Sequence, residues 1–363
     1  MITCHNLSRR FKDVKDDYFE SLKNISENEK VTNGYYVQQA EKQLTDISGR
    51  QYVLLVRSGS HAISLSLLAY GIKPGDEVII PNYSCPATLS SVCVINAVPR
   101  FCEVNKYGSL DTELLEACVT NRTRAILATG LYGDVHNHSE VKSICDKHGL
   151  TYINDAAQSQ FALYNGVNSL SLGDTVTISF AENKPIPTLG TFGAVLTDDE
   201  QVYNQVRVLR KNGKPSRYST YECAGYSSHP EEDKAAQIVA AMKHFNKWQK
   251  RRADIVKVYD EQFSKHGVNI RPRPEYSEWN THKYAIMVDD KFKMYKKLLA
   301  DGVESEQHYV DNFAKLPWTP DTNKEFPRTD NFIKQSLSIP LNAHMTDSEV
   351  DEVVEKVCTN DIH

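Results

Sequence analysis

Lys184 closes the segment Ser179-Phe180-Ala181-Glu182-Asn183-Lys184, just beyond the apolar, β-prone run Thr175-Val176-Thr177-Ile178-Ser179-Phe180. A lysine held at a strand end and facing a pocket loses its proton more readily than one in water, because burial disfavours the charged form. Its free amine can then condense with an aldehyde. An earlier apolar run, Leu150-Thr151-Tyr152-Ile153-Asn154-Asp155, ends in an acid and continues as Ala156-Ala157-Gln158. A carboxylate at that strand end can pair with a protonated pyridine nitrogen. A lysine for an imine and an acid for a ring nitrogen are what pyridoxal phosphate requires of its protein. Ser58-Gly59-Ser60 opens a helical pattern, and a helix N-terminus offers a phosphate free N–H groups and a positive dipole end. Gly59 lets the backbone approach, Ser60 supplies a hydroxyl, and Ser179 is a second candidate phosphate ligand. Plainer readings exist for each: a helix cap at Ser58, a turn cap at Asp155, a solvated loop lysine at Lys184. The combination favours the cofactor.

The elements that must position these residues alternate from about residue 35 to 200. Helical patterns at 36–48, 61–70, 87–96 and 139–148 are interleaved with strand patterns at 52–56, 77–80, 98–103, 123–129 and 150–155. Strands separated by helices of this length imply a mostly parallel sheet covered on both faces, with ligands outside the carboxyl ends of its strands. Ser58, Gly59, Asp155 and Lys184 all follow expected strands. Beyond Gly193-Ala194-Val195-Leu196 come a helix at 200–211 and a polar, tyrosine-rich loop at 213–229. One or two long helices follow at 231–258, with Arg251-Arg252 expected on the solvent side. A smaller α+β unit closes the chain, with strands at 284–289 and 337–340 and a last helix at 347–358. Thr346 and Glu349 form a capping box at the start of that helix.

The chain has 363 residues, with 42 basic against 47 acidic side chains and no Lys/Arg block. That balance gives no electrostatic support to a nucleic-acid or anionic-membrane partner. The eight cysteines form no CxxC pair, which fits a reducing cytosol. The amino terminus lacks a hydrophobic signal core, and no run approaches the roughly 18 apolar residues of a membrane span. A cytoplasmic protein is expected. Val135-His136-Asn137-His138 lacks the further ligands of a metal site, so no metal is expected and the pair reads as a surface loop.

Several segments together resemble the DegT/DnrJ/EryC1/StrS family of pyridoxal-phosphate-dependent sugar aminotransferases. They are Gly71 to Pro81, Gly130-Leu131-Tyr132-Gly133, Asp155-Ala156-Ala157-Gln158, Ser179-Phe180 with Lys184, and Gly193-Ala194-Val195. Leu209-Arg210-Lys211-Asn212-Gly213, Gly225-Tyr226, Arg251-Arg252 and Ser338-Ile339-Pro340-Leu341 extend the likeness through most of the chain. The resemblance implies an α/β, fold type I transferase. Its large domain, residues 1–245 with an N-terminal arm, would hold a mostly parallel seven-stranded sheet, and residues 246–363 would form a small C-terminal α+β domain. It also implies a homodimer with shared active sites. Lys184 would be the Schiff-base lysine and proton carrier, Asp155 the partner of the pyridine nitrogen, and Gln158 a neighbour of the ring. Gly59, Ser60 and Ser179 would bind the phosphate. The implied reaction moves an amino group from L-glutamate to a keto group of a nucleotide-linked sugar, for a surface glycan or a glycosylated metabolite.

Departures from the family pattern bear on the substrate. Cys85, in Tyr83-Ser84-Cys85-Pro86, stands where an aromatic side chain usually stacks on the cofactor, and sulfur constrains a ring less. Gly225-Tyr226-Ser227-Ser228-His229 replaces Gly-Tyr-Asn-x-Arg, so Ser227 takes the place of an asparagine that reaches the neighbouring subunit's phosphate. Pro185-Ile186-Pro187 replaces a looser stretch. Tyr218, His229, His282, His308 and Tyr309 are candidate substrate contacts, and ordinary structural roles account for them equally well. Transamination of a non-nucleotide ketone such as an inosose, or a non-catalytic regulatory protein on the same fold, stays open as an alternative.

Overall fold

The apolar runs assemble into one seven-stranded sheet. Its strands are β1 (Tyr52–Val56), β2 (Glu77–Pro81), β3 (Val98–Cys102), β4 (Thr123–Thr129), β5 (Thr151–Asp155), β6 (Thr175–Ser179) and β7 (Gly193–Thr197), in the order β1-β7-β6-β5-β4-β2-β3. β7 pairs antiparallel with both β1 and β6, and the remaining pairings are parallel. The computed structural model describes residues 1–216, 218–320 and 324–359. Alternate residues of the parallel strands supply two cores. Val78, Ile80, Ala125, Leu127 and Ile153 face one side; Ile79, Ile126, Ala128 and Tyr152 face the other. Both faces are buried, as helical crossovers require.

The helices are α1 (Leu7–Asn28), α2 (Tyr35–Ser48), α3 (Gly59–Ala69), α4 (Pro86–Cys93), α5 (Thr112–Leu115), α6 (His138–His148), α7 (Glu200–Leu209), α8 (Glu232–Lys265), α9 (Lys291–Ala300), α10 (Pro327–Gln335) and α11 (Asp347–Thr359). The N-terminal arm is therefore a 22-residue helix, fastened to α8 where Trp248 Nε1 donates to Asp13 (2.7 Å) and Lys243 pairs with Asp17 (2.6 Å). The long segment after the polar loop is a single helix of 34 residues, unbroken through residue 245. Its first half joins the core beside β6 and β7 through Ala235, Ile238 and Trp248. Its second half joins a separate core through Ile255, Tyr259 and Phe263. That second core holds the antiparallel pair β8 (Tyr284–Met287) and β9 (Ser336–Ile339), and Ile2 from the other end of the chain. The α11 capping box forms reciprocally, Thr346 N to Glu349 Oε2 (2.8 Å) and Glu349 N to Thr346 Oγ1 (3.2 Å).

Two expectations fail here for one physical reason: a polar side chain is buried when neighbouring elements fold over it. His136 is fully buried rather than on a surface loop, bonded through Nε2 to the Tyr152 hydroxyl at 2.5 Å. Burial holds its imidazole neutral, with the pKa depressed to about 3. Arg252, expected on the solvent side, is buried as well.

Candidate active site

Three carboxyl strand ends converge. β1 leads through Arg57 into Ser58, which caps α3: its Oγ accepts from His61 N at 3.1 Å. The amides of Gly59 and Ser60 have no hydrogen-bond partner among the described residues. Gly59 seats against the end of β6, where a Cβ would lie 2.8 Å from the Cβ of Ser179; no other residue fits without a shift. Gly193, the first residue of β7, is constrained likewise, since a Cβ would come 2.5 Å from the carbonyl carbon of Ser58. Two glycines thus let the helix end and two strand ends close around one small anion site. The serine that fastens this corner is Ser228. Buried, it accepts from Arg57 N (3.0 Å) and shares a hydrogen bond with His61 Nδ1 (2.9 Å). Ser227 is exposed beside it, its backbone bridged to Lys211.

Asp155 ends β5 and is buried. Its Oδ1 accepts from Ala157 N at 3.1 Å. Burial nevertheless dominates and pushes the carboxyl up to about 6, while that N–H, the charge of Lys184 and the Thr177 hydroxyl pull the other way. No cation forms an ion pair with it among the described residues. Gln158, three residues on, is clamped on three sides. Its Oε1 accepts from Tyr132 N (2.9 Å), its Nε2 donates to the Tyr309 hydroxyl (2.7 Å), and its carbonyl accepts from Asn280 (2.8 Å). The side chain of Cys85, at the start of α4, lies beside Tyr309 and Lys184, where it enters the electrostatics of both.

Lys184 sits on a loop held as tightly as a strand. Phe180 bonds to Phe192 and Thr188, Lys184 N donates to Ala181 O (2.9 Å), and Gln160 spans Ser179 O (2.6 Å) and Ile186 N (3.3 Å). Phe180, Ile186 and Phe192 are fully buried, so the Pro185-Ile186-Pro187 stretch is a rigid anchor. The Lys184 ammonium has no hydrogen bond or ion pair among the described residues. Burial lowers its pKa, Cys85 opposes that, and Lys283 adds to it.

Of the residues singled out in the sequence, Gly59, Ser60, Cys85, Asp155, Gln158, Ser179, Lys184 and Tyr309 come together. His308 lies close by, its imidazole bonded to Ser338 (3.1 Å) and kept neutral by burial first and by Lys283. Tyr218 stands apart, 90% exposed, and His229 is half-buried beside Lys211 and Arg210. Ser228, Tyr132 and the polar group around Arg252 belong to the site region although sequence reasoning passed over them. For Ser228 the signal was its adjacency to Gly225-Tyr226.

A cradle that only glycine permits, a buried acid without an ion pair and a half-buried amine without a hydrogen bond, both among the described residues, fit pyridoxal phosphate. The fold and site define a fold type I pyridoxal-phosphate-dependent aminotransferase. The sequence matches the DegT/DnrJ/EryC1/StrS aminotransferase family over residues 12–358, and the chain belongs to that family. A UDP-2-acetamido-2-deoxy-3-oxo-D-glucuronate aminotransferase of Pseudomonas aeruginosa is 27% identical over 352 residues, 96% of this chain and 98% of the relative. The crystal structure of S. venezuelae DesV with a ketimine intermediate superposes with a TM-score of 0.93, at 25% identity over 99% of this chain and 98% of that one. NtdA from Bacillus subtilis, with bound cofactor PMP, gives 0.90 at 26% identity, covering 97% of this chain and 83% of that one.

Proposed function

We propose that the protein moves the amino group of L-glutamate to a keto group of a nucleotide-linked sugar, in amino-sugar biosynthesis, as a cytoplasmic homodimer. The observation that carries the reading is the Lys184 amine on a rigid loop, near enough to the buried Asp155 for their charges to act on each other, yet neither in a direct ion pair among the described residues. Bound pyridoxal phosphate would supply an aldehyde for imine formation and a ring that withdraws electrons.

The remaining work falls to this chain's side chains. Gly59 and Ser60 at the α3 N-terminus, with Ser179, hold the phosphate. Asp155 would keep a proton on the pyridine nitrogen, and that positive charge would give the carboxylate an ion-pair partner. Gln158, fixed by Tyr132 and Tyr309, would help to position the ring, and Cys85 would lie beside it. Lys184 Nζ takes a proton from one carbon and returns it to another, for which a depressed pKa suits it. Ser227, His229 and Tyr218 lie on an exposed loop that would serve the partner's site in a homodimer. His308 and Tyr309 line the substrate side. The division into a large domain to residue 245 and a small one beyond it belongs to this reading too.

Relatives named for UDP-, dTDP- and GDP-linked sugars support a nucleotide sugar without selecting one. No helix among the described residues is long and apolar enough to cross a membrane. The test incubates the protein and L-glutamate with nucleotide-linked 3-keto and 4-keto sugars and reads products by mass. An amino sugar with stoichiometric 2-oxoglutarate is expected. Failure of every acceptor, with L-glutamate still consumed in the first half, would point to an unlinked ketone.

A further inference from the structure

Beside Lys184, a cavity of about 40 Å³ lies between α1, α8, the Lys184 loop and residues 341–344. Its lining is rich in cations and donors. Arg10 comes from α1, Arg252 from α8, His282 from the segment before β8, and Lys184 itself opens onto it. No acid neutralises Arg252 among the described residues. Its one polar contact is a donation to Gln249 Oε1 (2.6 Å), and its buried Nε has no partner. The buried Nε2 of His282 also lacks one. Arg10 donates to the backbone carbonyl of Glu182 (2.6 Å), which holds it at the cavity. The other titratable groups near the cavity are already engaged. His344 bonds to Asp13 (3.1 Å), and His5 and Lys283 pair with Glu306 (3.2 and 3.0 Å).

Two arginines and an orphaned imidazole around the pocket form a net positive site. A buried guanidinium without an anion is costly, and burial together with the charge of Arg10 depresses Arg252 to about 10. The volume suits a group the size of a carboxylate, too small for a sugar ring. Arginine's planar fork is matched to carboxylate oxygens. We infer that Arg252, with Arg10 and His282, forms a subsite that binds a carboxylate of the dicarboxylic amino donor while its amine meets the cofactor beside Lys184. This rests on the amino-transfer reading above and adds which residues recognise the donor.

The test uses the cofactor-loaded protein and glutarate, a donor-shaped dicarboxylate that cannot react, with affinity read by calorimetry. Single-turnover reaction with L-glutamate is followed in parallel. Arg252→Met should weaken both ligands roughly ten- to a hundredfold, the scale of lost charged hydrogen bonds, with a smaller change in the rate at saturation. Arg252→Lys should recover part of the loss, and His282→Gln should weaken glutarate less. The melting temperature of Arg252→Met should equal or exceed that of the wild type, since an uncompensated buried cation is gone; this separates ligand loss from misfolding. Unchanged affinity in Arg252→Met, or no glutarate binding by the wild type, overturns the subsite. So does a loss confined to a nucleotide-linked uronate acceptor. Glutarate binding through Arg252 without any reaction of L-glutamate would leave the subsite standing for a different dicarboxylic donor and remove L-glutamate from the proposed reaction.

Discussion

Replacing Asp155 by asparagine should stabilise the cofactor-free protein while disabling it as an enzyme. Asparagine keeps the size of the side chain and an oxygen to accept from Ala157 N, now 3.1 Å away, but carries no charge to bury. Burial raises the carboxyl from 3.8 to about 6. At about 1.4 kcal/mol per unit, ionised Asp155 therefore costs the empty protein roughly 3 kcal/mol. Because the folded-state pKa lies above the unfolded one, the favourable contribution is complete below about pH 4. It is lost as pH rises through about 6. Urea unfolding of cofactor-stripped wild type and Asp155→Asn at pH 4, 6 and 8 measures this directly. The two proteins should be equally stable at pH 4, and the variant should lead by up to roughly 3 kcal/mol at pH 8. A variant that is weaker at pH 8, or a difference that does not change with pH, would refute the reasoning. Transamination by the variant should fall by roughly a hundredfold or more, since no acid then holds the ring nitrogen's proton.

Gly59→Ala places a methyl 2.8 Å from Ser179 Cβ, so the phosphate corner must open; cofactor affinity by fluorescence titration should drop about tenfold or more, consistent with an overpacking cost of roughly 1–3 kcal/mol. Gln158→Leu leaves Tyr132 N buried without its acceptor and frees the Tyr309 hydroxyl. Chemical denaturation should show a loss of roughly 1–3 kcal/mol, and the visible cofactor band should shift. Glu232 receives the amides of Gly34 (2.6 Å), Tyr36 (2.8 Å) and Val37 (3.1 Å), capping α2 from α8; Glu232→Ala should destabilise by roughly 3 kcal/mol or more while leaving the cofactor spectrum of the folded fraction unchanged.

The sheet was legible because its central strands are buried on both faces and read as continuous apolar runs broken by glycine and proline. Lys184, Asp155 and Gly59 were legible because a parallel sheet collects its strand ends on one side. Helix α1 was readable but not read: Leu7, Phe11, Val14, Tyr18, Leu22 and Ile25 recur every three or four residues, and this stripe lays Val14 and Ile25 against the core that α8 shares. Arg252 was placed in solvent because arginine usually is. Its burial arises from three segments distant in sequence that fold over one turn of α8, which no local pattern encodes. His136 misled in the same way, through a hydrogen bond to Tyr152 across the sheet. Within the polar loop Ser228 turns inward to Arg57 and His61, whereas Tyr218 and Ser227 are exposed, so burial within this chain marks no role for them.

The account stands on Lys184 as the amine that bonds to the cofactor. Borohydride reduction of the holoprotein, followed by proteolysis and mass spectrometry of the peptides, measures this most directly. The reduced cofactor should appear on Lys184 alone, and Lys184→Ala should bind the cofactor without forming any reduced adduct. An adduct on another lysine of the native protein, such as Lys283, or one that survives in Lys184→Ala, would contradict it.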